Sequence, residues 1–160
     1  MKLRFYYVGR AVDRQKRFDR VKGFINYLVE LEIDFSFKIF AELSDGIILD
    51  QRVECFGYLE NWWNQIERDE ILILFSDYEG CPLVLLEAVK NGLTNFCVYN
   101  FPGAHTYLSS NCIINDYRSI QWNCVVSQDF KTSLSILAYF DKKRFIKEVY
   151  NLESIIYECK

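Results

Sequence analysis

Residues 71–92 read I-L-I-L-F-S-D-Y-E-G-C-P-L-V-L-L-E-A-V-K-N-G, and three signals follow one another along them. Residues 71–75 are continuously apolar, as expected for a central strand covered on both faces. Pro82 then stands at a first-turn position, residues 82–91 predict a helix, and Gly92 supplies its stop. A buried strand, a short polar loop and a helix in that order are the start of a parallel strand–helix–strand unit.

Working outward, five more strand-like runs stand at residues 3–8, 35–41, 53–58, 95–99 and 112–114. Between the first two, residues 17–32 place Phe18, Val21, Phe24, Ile25, Leu28, Val29 and Leu31 at helical spacing with charges between them. Residues 129–159 predict two further helices, broken near Phe140 and Asp141. The alternation predicts an α/β, Rossmann-like three-layer sandwich: a mostly parallel sheet of six strands with helices on both faces. One link stays open. The stretch between the second and third strands is barely long enough for a parallel crossover, and its Asp45-Gly46 pair would equally close a hairpin around residues 47–49. No repeat or Pro/Gly/Ser-rich linker divides the chain, so residues 1–160 are expected to form one domain.

The bulk composition narrows the class. The chain has 160 residues, 51% apolar and 26% charged, ordinary globular usage that argues against disorder. Aromatic residues reach 17%, with 13 Phe and 11 Tyr, enough for a thick core. A net charge of −3 argues against a nucleic-acid-coating or strongly membrane-adsorbed protein. No apolar run approaches the length of a membrane span, and the opening MKLRFYYVGR reads as a strand rather than a leader peptide. Cys55, Cys81, Cys97, Cys112, Cys124 and Cys159 form no CxxC pair and have one histidine, His105, to help them, so metal-site spacing is absent. Most lie in or beside apolar runs and read as small buried hydrophobes of a reduced, cytoplasmic protein.

In an open parallel sheet, ligands bind outside the carboxyl ends of the strands, where helix N-termini offer unpaired N–H groups. Three segments put unusual residues there. After the first strand comes V-G-R-A-V-D-R-Q-K-R-F-D. Gly9 allows close backbone approach, and Arg10 and Lys16 lie between strand and helix. Six cations (Arg10, Arg14, Lys16, Arg17, Arg20 and Lys22) fall within thirteen residues of an acidic chain, and two or three beside a helix start would suit a diphosphate. Arg14, Arg20 and Lys22 read as a solvated helix face.

In the second segment, Glu79 leaves the buried strand while Glu87 lies more than a turn inside a helix that is apolar nearly all round. A carboxylate in such a helix needs hydrogen-bond donors. The vicinal hydroxyls of a ribose would supply them; so would solvent or Lys90. The N–H groups of Cys81, Leu83 and Val84 face a phosphate or sugar hydroxyl at the helix start, Pro82 having none. In the third segment, N-F-P-G-A-H-T-Y-L, His105 begins or precedes a short helix and reads as a structural group. Trp62 and Trp63 start a helix after the third strand and cannot both face the core.

The combination VGR…QKRFD, an apolar strand and S-D-Y-E-G-C-P-L-V-L-L-E-A-V-x-N-G resembles the carboxyl-terminal domain of group 1 retaining glycosyltransferases with the GT-B fold. The likeness covers residues 3–120, and its most specific part is the E-x7-E element. It implies a domain that binds a nucleoside diphosphate sugar for transfer of a hexose to a glycan or lipid-linked acceptor, without a cofactor or metal. By the resemblance, Arg10 and Lys16 hold the diphosphate, Glu79 contacts the donor sugar, Glu87 binds the ribose, and main-chain groups from Gly80 to Val84, through Cys81, Pro82 and Leu83, meet sugar and phosphate. Gly9 lies against the same ligand, and Gly57, Tyr58 and Leu59 are where the base stacks.

The family's acceptor site belongs to an amino-terminal domain that this chain does not include, so that domain is the expected partner, in cis or in trans. Alone, the chain is expected to be inactive or weakly active. No nucleic acid is expected as a partner. The resemblance further implies polysaccharide or lipid-linked sugar assembly at the cytoplasmic face of a membrane, with peripheral association through the missing domain. Rival readings are a non-catalytic nucleotide-binding module, half of a sugar-nucleotide epimerase, and a flavodoxin-like domain carrying the motifs by chance. The sequence departs from the family in F-A-E-L-S-D-G after the second strand, where a Gly-rich turn and helix are usual, and in His105-Thr106, where an acidic residue is frequent.

Overall fold

Side chains along β1 (Leu3–Val8), β2 (Phe35–Phe40), β4 (Ile71–Leu74) and β5 (Phe96–Tyr99) alternate between two hydrophobic cores, the period-2 signature of strands covered on both faces. The computed structural model describes residues 2–11, 14–79, 82–106 and 108–120. With β3 (Val53–Cys55) and β6 (Ile113–Ile114), these strands form one sheet in the order β3-β2-β1-β4-β5-β6, and every pairing is parallel. This is the strand order of Rossmann-like doubly wound folds. The helices expected over residues 129–159 lie outside the described residues.

On one face, Phe5, Tyr7, Phe37, Ile39, Ile73 and Phe75 pack against α1 (Phe18–Glu30), whose Phe18, Val21, Phe24, Ile25 and Leu28 are buried. On the other, Tyr6, Phe40, Leu72, Leu74, Phe96 and Val98 meet α2 (Leu83–Lys90) through Leu85, Ala88 and Val89. Gly92, at φ 76°, follows α2 where the sequence predicts its stop.

The open link resolves in favour of a crossover. Phe37, Lys38 and Ile39 pair in parallel with Val53, Glu54 and Cys55, so residues 47–49 form no hairpin. No helix forms between β2 and β3; Leu43, Ile47 and Leu49 pack on the α1-side core in its place.

Two expected elements shrink. β3 stops at Cys55 rather than reaching Tyr58, because Gly57 (φ 70°) turns the chain out of the sheet. The helix expected from Trp62 is a single 3-10 turn over Trp62–Gln65. Trp62 is fixed in the core and Glu70 must reach Lys38, which leaves room for one turn. Trp62 is buried while Trp63 is only partly so, as adjacent positions require. Cys97 and Cys112 are buried, Cys55 is exposed, and all three are free thiols. Among the described residues no helix is long and apolar enough to cross a membrane.

A buried polar group sits near the amino ends of the central strands. Lys38 Nζ donates to Glu70 Oε1 at 2.7 Å and to the Gln65 carbonyl at 2.6 Å. Burial pushes the Glu70 carboxyl up, against the pull of Lys38. The hydrogen bonds of Arg17 and Arg52 hold Asp19 and Asp50 down. The signs oppose. A raised carboxyl holds its proton more tightly in the fold than in the unfolded chain, so Glu70 removes stability as pH rises from 4.5 through its folded value. Asp19 and Asp50 contribute stability above 3.8 that is lost as pH falls through their depressed values. Chemical denaturation across roughly pH 3 to 7 is expected to show a decline above pH 4.5 that Glu70→Gln removes, with the acid limb kept. An unchanged decline in the variant would contradict this assignment.

Candidate functional site

Strands β1 and β4 are neighbours, yet the chain leaves them toward opposite edges of the sheet. The loops after them therefore diverge and leave a crevice at their carboxyl ends. Hydrogen bonds stitch the two loops together. The Asp77 N–H donates to the Gln15 carbonyl at 3.0 Å, and Gln15 Nε2 donates to the Tyr78 carbonyl at 2.8 Å. Arg17 occupies a left-handed conformation (φ 47°, ψ 52°) just before α1 and is held there by Asp19 and Asp77. Arg20 is not the solvated cation expected from sequence. Its guanidinium pairs with Asp77 at 2.7 Å, donates to the Phe75 carbonyl at 3.0 Å and stacks on Tyr99.

Lys16 and Glu79 meet across the same loops. Lys16 Nζ lies 2.7 Å from Glu79 Oε1, and Ser76 Oγ donates to that same oxygen at 2.6 Å. The Glu79 side chain is 4% exposed and that of Lys16 18%. Ser76 is itself buried. A carboxylate so enclosed needs its cation and its hydroxyl donor.

Beside the carboxyl ends of β1, β2 and β3 lies a cavity of about 550 Å³, within the size range of small-molecule sites. Val8, Gly9, Arg10 and Ala11 enter it from β1, Phe40, Ala41 and Glu42 from β2. Tyr58, Leu59, Glu60 and Trp62 enter from the segment after β3, and Glu87 from α2. Phe40 stacks on Phe56 with centroids 4.8 Å apart, and Trp62 lies 5.6 Å from Tyr6, so the wall is aromatic and well supported. Glu87 is half-buried, and its Oε2 accepts from Trp62 Nε1 at 3.2 Å. Among the described residues that donor is Trp62, and no hydrogen bond or ion pair joins Glu87 to Lys90. At the start of α2 the first intrahelical bond runs from Leu85 N–H to the Pro82 carbonyl, so the N–H groups of Leu83 and Val84 precede it.

Of the residues the sequence singles out, Gly9, Arg10, Tyr58, Leu59 and Glu87 come together around the cavity, and Gly57 lies outside its lining. Lys16 and Glu79 pair with each other outside its lining. Pro82 is buried, Leu83 is exposed and Val84 packs on the α2-side core. Gly80 and Cys81 lie outside the described residues. His105 is exposed on a 3-10 turn over Ala104–Thr106. Trp62, Ser76, Glu42 and Glu60 were not among the predicted site residues. Only Trp62 carries a sequence signal, its place beside a second tryptophan. No group of three or more His, Cys, Asp and Glu among the described residues is arranged to hold a metal ion. Comparison with known protein families and with curated proteins finds no match to this chain.

Proposed function

We propose that the chain is the donor-binding domain of a retaining glycosyltransferase and that its cavity takes a nucleoside diphosphate sugar. The observation that carries this reading is the convergence of Gly9, Arg10, Tyr58 and Glu87 on one cavity at the carboxyl ends of β1 to β3. Glu87, anchored by Trp62, presents its carboxylate to the ribose hydroxyls. Tyr58, 80% exposed at the cavity rim, offers a face to the base. Arg10 and the first N–H groups of α2 receive the diphosphate, with Lys16 as a second cation.

In transfer, the bond from the anomeric carbon to the phosphate oxygen breaks, the diphosphate leaves with the electron pair, and the acceptor hydroxyl oxygen bonds to the same face as its proton passes to the departing diphosphate. Fixed cations and N–H groups stabilise the charge that develops on the leaving group. The acceptor side and water exclusion belong to the partner amino-terminal domain, at the cytoplasmic face of a membrane.

A non-catalytic nucleotide-binding module is the second reading. One observation favours it: Lys16, expected on the diphosphate, and Glu79, expected on the donor sugar, satisfy each other outside the cavity lining. It predicts nucleotide binding without transfer even when an amino-terminal domain is supplied.

The experiment is a thermal-shift screen of the chain against nucleoside diphosphates and their sugar conjugates. A ligand at about one hundred times its Kd stabilises the fold by roughly 2.7 kcal/mol. Glu87→Gln is expected to weaken nucleotide binding by roughly 1.5–3 kcal/mol, the scale of a hydrogen bond to a charged group. Undiminished binding by this variant would remove Glu87 from the site, and no shift with any nucleotide would sink the reading.

A further inference from the structure

The cavity lining carries four charged side chains: Arg10, Glu42, Glu60 and Glu87. Three carboxylates against one guanidinium are a poor match for a diphosphate filling the whole cavity, so the charges must be divided along its length. Arg10 follows β1, Glu42 follows β2, and Glu60 follows β3, the edge strand. Strands are spaced about 4.8 Å apart, so two spacings, about 10 Å, separate the β1 end from the β3 end. A nucleotide with phosphates at Arg10 and ribose at Glu87 therefore carries its base to the ends of β2 and β3.

We infer that this end of the cavity selects guanine, with the carboxylates of Glu42 and Glu60 reading the base edge; the inference rests on the nucleotide reading of the same cavity. Glu87 already accepts from Trp62. Glu42 and Glu60, by contrast, have no hydrogen-bond or ion-pair partner among the described residues, which leaves their acceptor capacity for a ligand. A carboxylate only accepts, and it offers two oxygens side by side.

Of the common bases, guanine alone presents two adjacent donors on one edge, the ring N1–H and the exocyclic 2-amino group, and these match a carboxylate in bidentate fashion. Uracil shows a single N–H flanked by two carbonyl oxygens, which a carboxylate repels. Adenine shows an amino group beside a ring nitrogen that is itself an acceptor. Phe40, Tyr58 and Leu59 supply the apolar surface for the ring faces. The same carboxylates repel phosphate from this end and thereby fix the direction in which the nucleotide lies.

Calorimetric titration of the full chain with guanosine, inosine, adenosine and uridine diphosphates tests this. Guanosine diphosphate is expected to bind tightest, with the inosine analogue, which lacks the 2-amino group, about tenfold weaker. The double variant Glu42→Gln, Glu60→Gln is expected to lose the guanosine preference. A glutamine pairs an acceptor with a donor and so suits adenine instead. Each single variant identifies which carboxylate carries the larger share, and an unchanged melting temperature establishes that the variants are folded. Uridine or adenosine diphosphate binding as tightly as guanosine diphosphate overturns the guanine assignment and leaves the nucleotide reading standing. So does a double variant that keeps the preference. Binding of none of the four overturns both.

Discussion

Phe24→Ala is expected to lower stability by about 3–5 kcal/mol, the range for deleting a large aromatic ring from a packed core. Phe24 is fully buried on α1 and meets four other rings among the described residues. Its centroid lies 5.2 Å from Phe5, 6.4 Å from Phe37, 5.6 Å from Phe75 and 6.0 Å from Tyr117. Three of these belong to β1, β2 and the end of β4, so one side chain ties α1 to three neighbouring strands of the sheet. Rings fixed in edge-to-face contact on a rigid sheet have little freedom to collapse into the space left, which puts the cost in the upper part of that range. Urea denaturation is the check, read as a lower midpoint at an unchanged slope. A loss below about 1 kcal/mol would mean that the α1 face relaxes freely and is not the close-packed layer described.

The layers of this molecule are legible because each depends on a local pattern. The apolar run at 71–75, the helical spacing from Phe18 to Leu28 and the Pro82–Gly92 punctuation all report burial that a few neighbouring residues decide. Local patterns do not encode chain length in the sheet direction. β3 was expected to run on through the apolar Phe56, whereas Gly57 ends it, and the connection across 41–52 does its packing without a helix. The site divides along the same line. Gly9 and Arg10 could be singled out because strand ends are where open parallel sheets bind ligands, and Glu87 because a carboxylate in an apolar helix needs donors; all three line the cavity. The Lys16–Glu79 pair spans 63 residues of sequence, and nothing local announces it. Arg20 was misread for a related reason: a cation on a helix looks solvated until Asp77 arrives from the loop after β4 and Tyr99 from β5. Glu42 and Glu60 are exposed carboxylates like many others in the sequence, and only the shared cavity sets them apart.

The pairing of Lys16 with Glu79 predicts an asymmetry between two substitutions that remove one charge each. Lys16→Met leaves the Glu79 carboxylate, 4% exposed, with the Ser76 hydroxyl as its remaining contact among the described residues. Removing one partner of a buried pair typically costs about 3–5 kcal/mol, and the 18% exposure of Lys16 places this case near the lower end. Glu79→Gln leaves instead an ammonium that water can reach, so its cost is expected to be smaller. The double variant is expected to be more stable than the sum of the two losses allows, because the uncompensated charge has gone from both sides. Ligand binding separates the structural role from the functional one. A lysine ammonium has three donors; one is held by Glu79, and the others remain for a phosphate. Lys16→Met is therefore expected to weaken binding of a nucleoside diphosphate by tenfold or more while leaving the bare nucleoside unchanged, on the scale of one charged hydrogen bond of about 1.5–3 kcal/mol. Glu79→Gln, which frees the ammonium, is expected to bind the diphosphate at least as tightly as the unaltered chain. Calorimetry on the three variants below their melting temperatures decides the matter. Equal losses for nucleoside and diphosphate in Lys16→Met would confine the pair to joining the loops after β1 and β4, and would leave Arg10 and the α2 N–H groups to hold the phosphates alone.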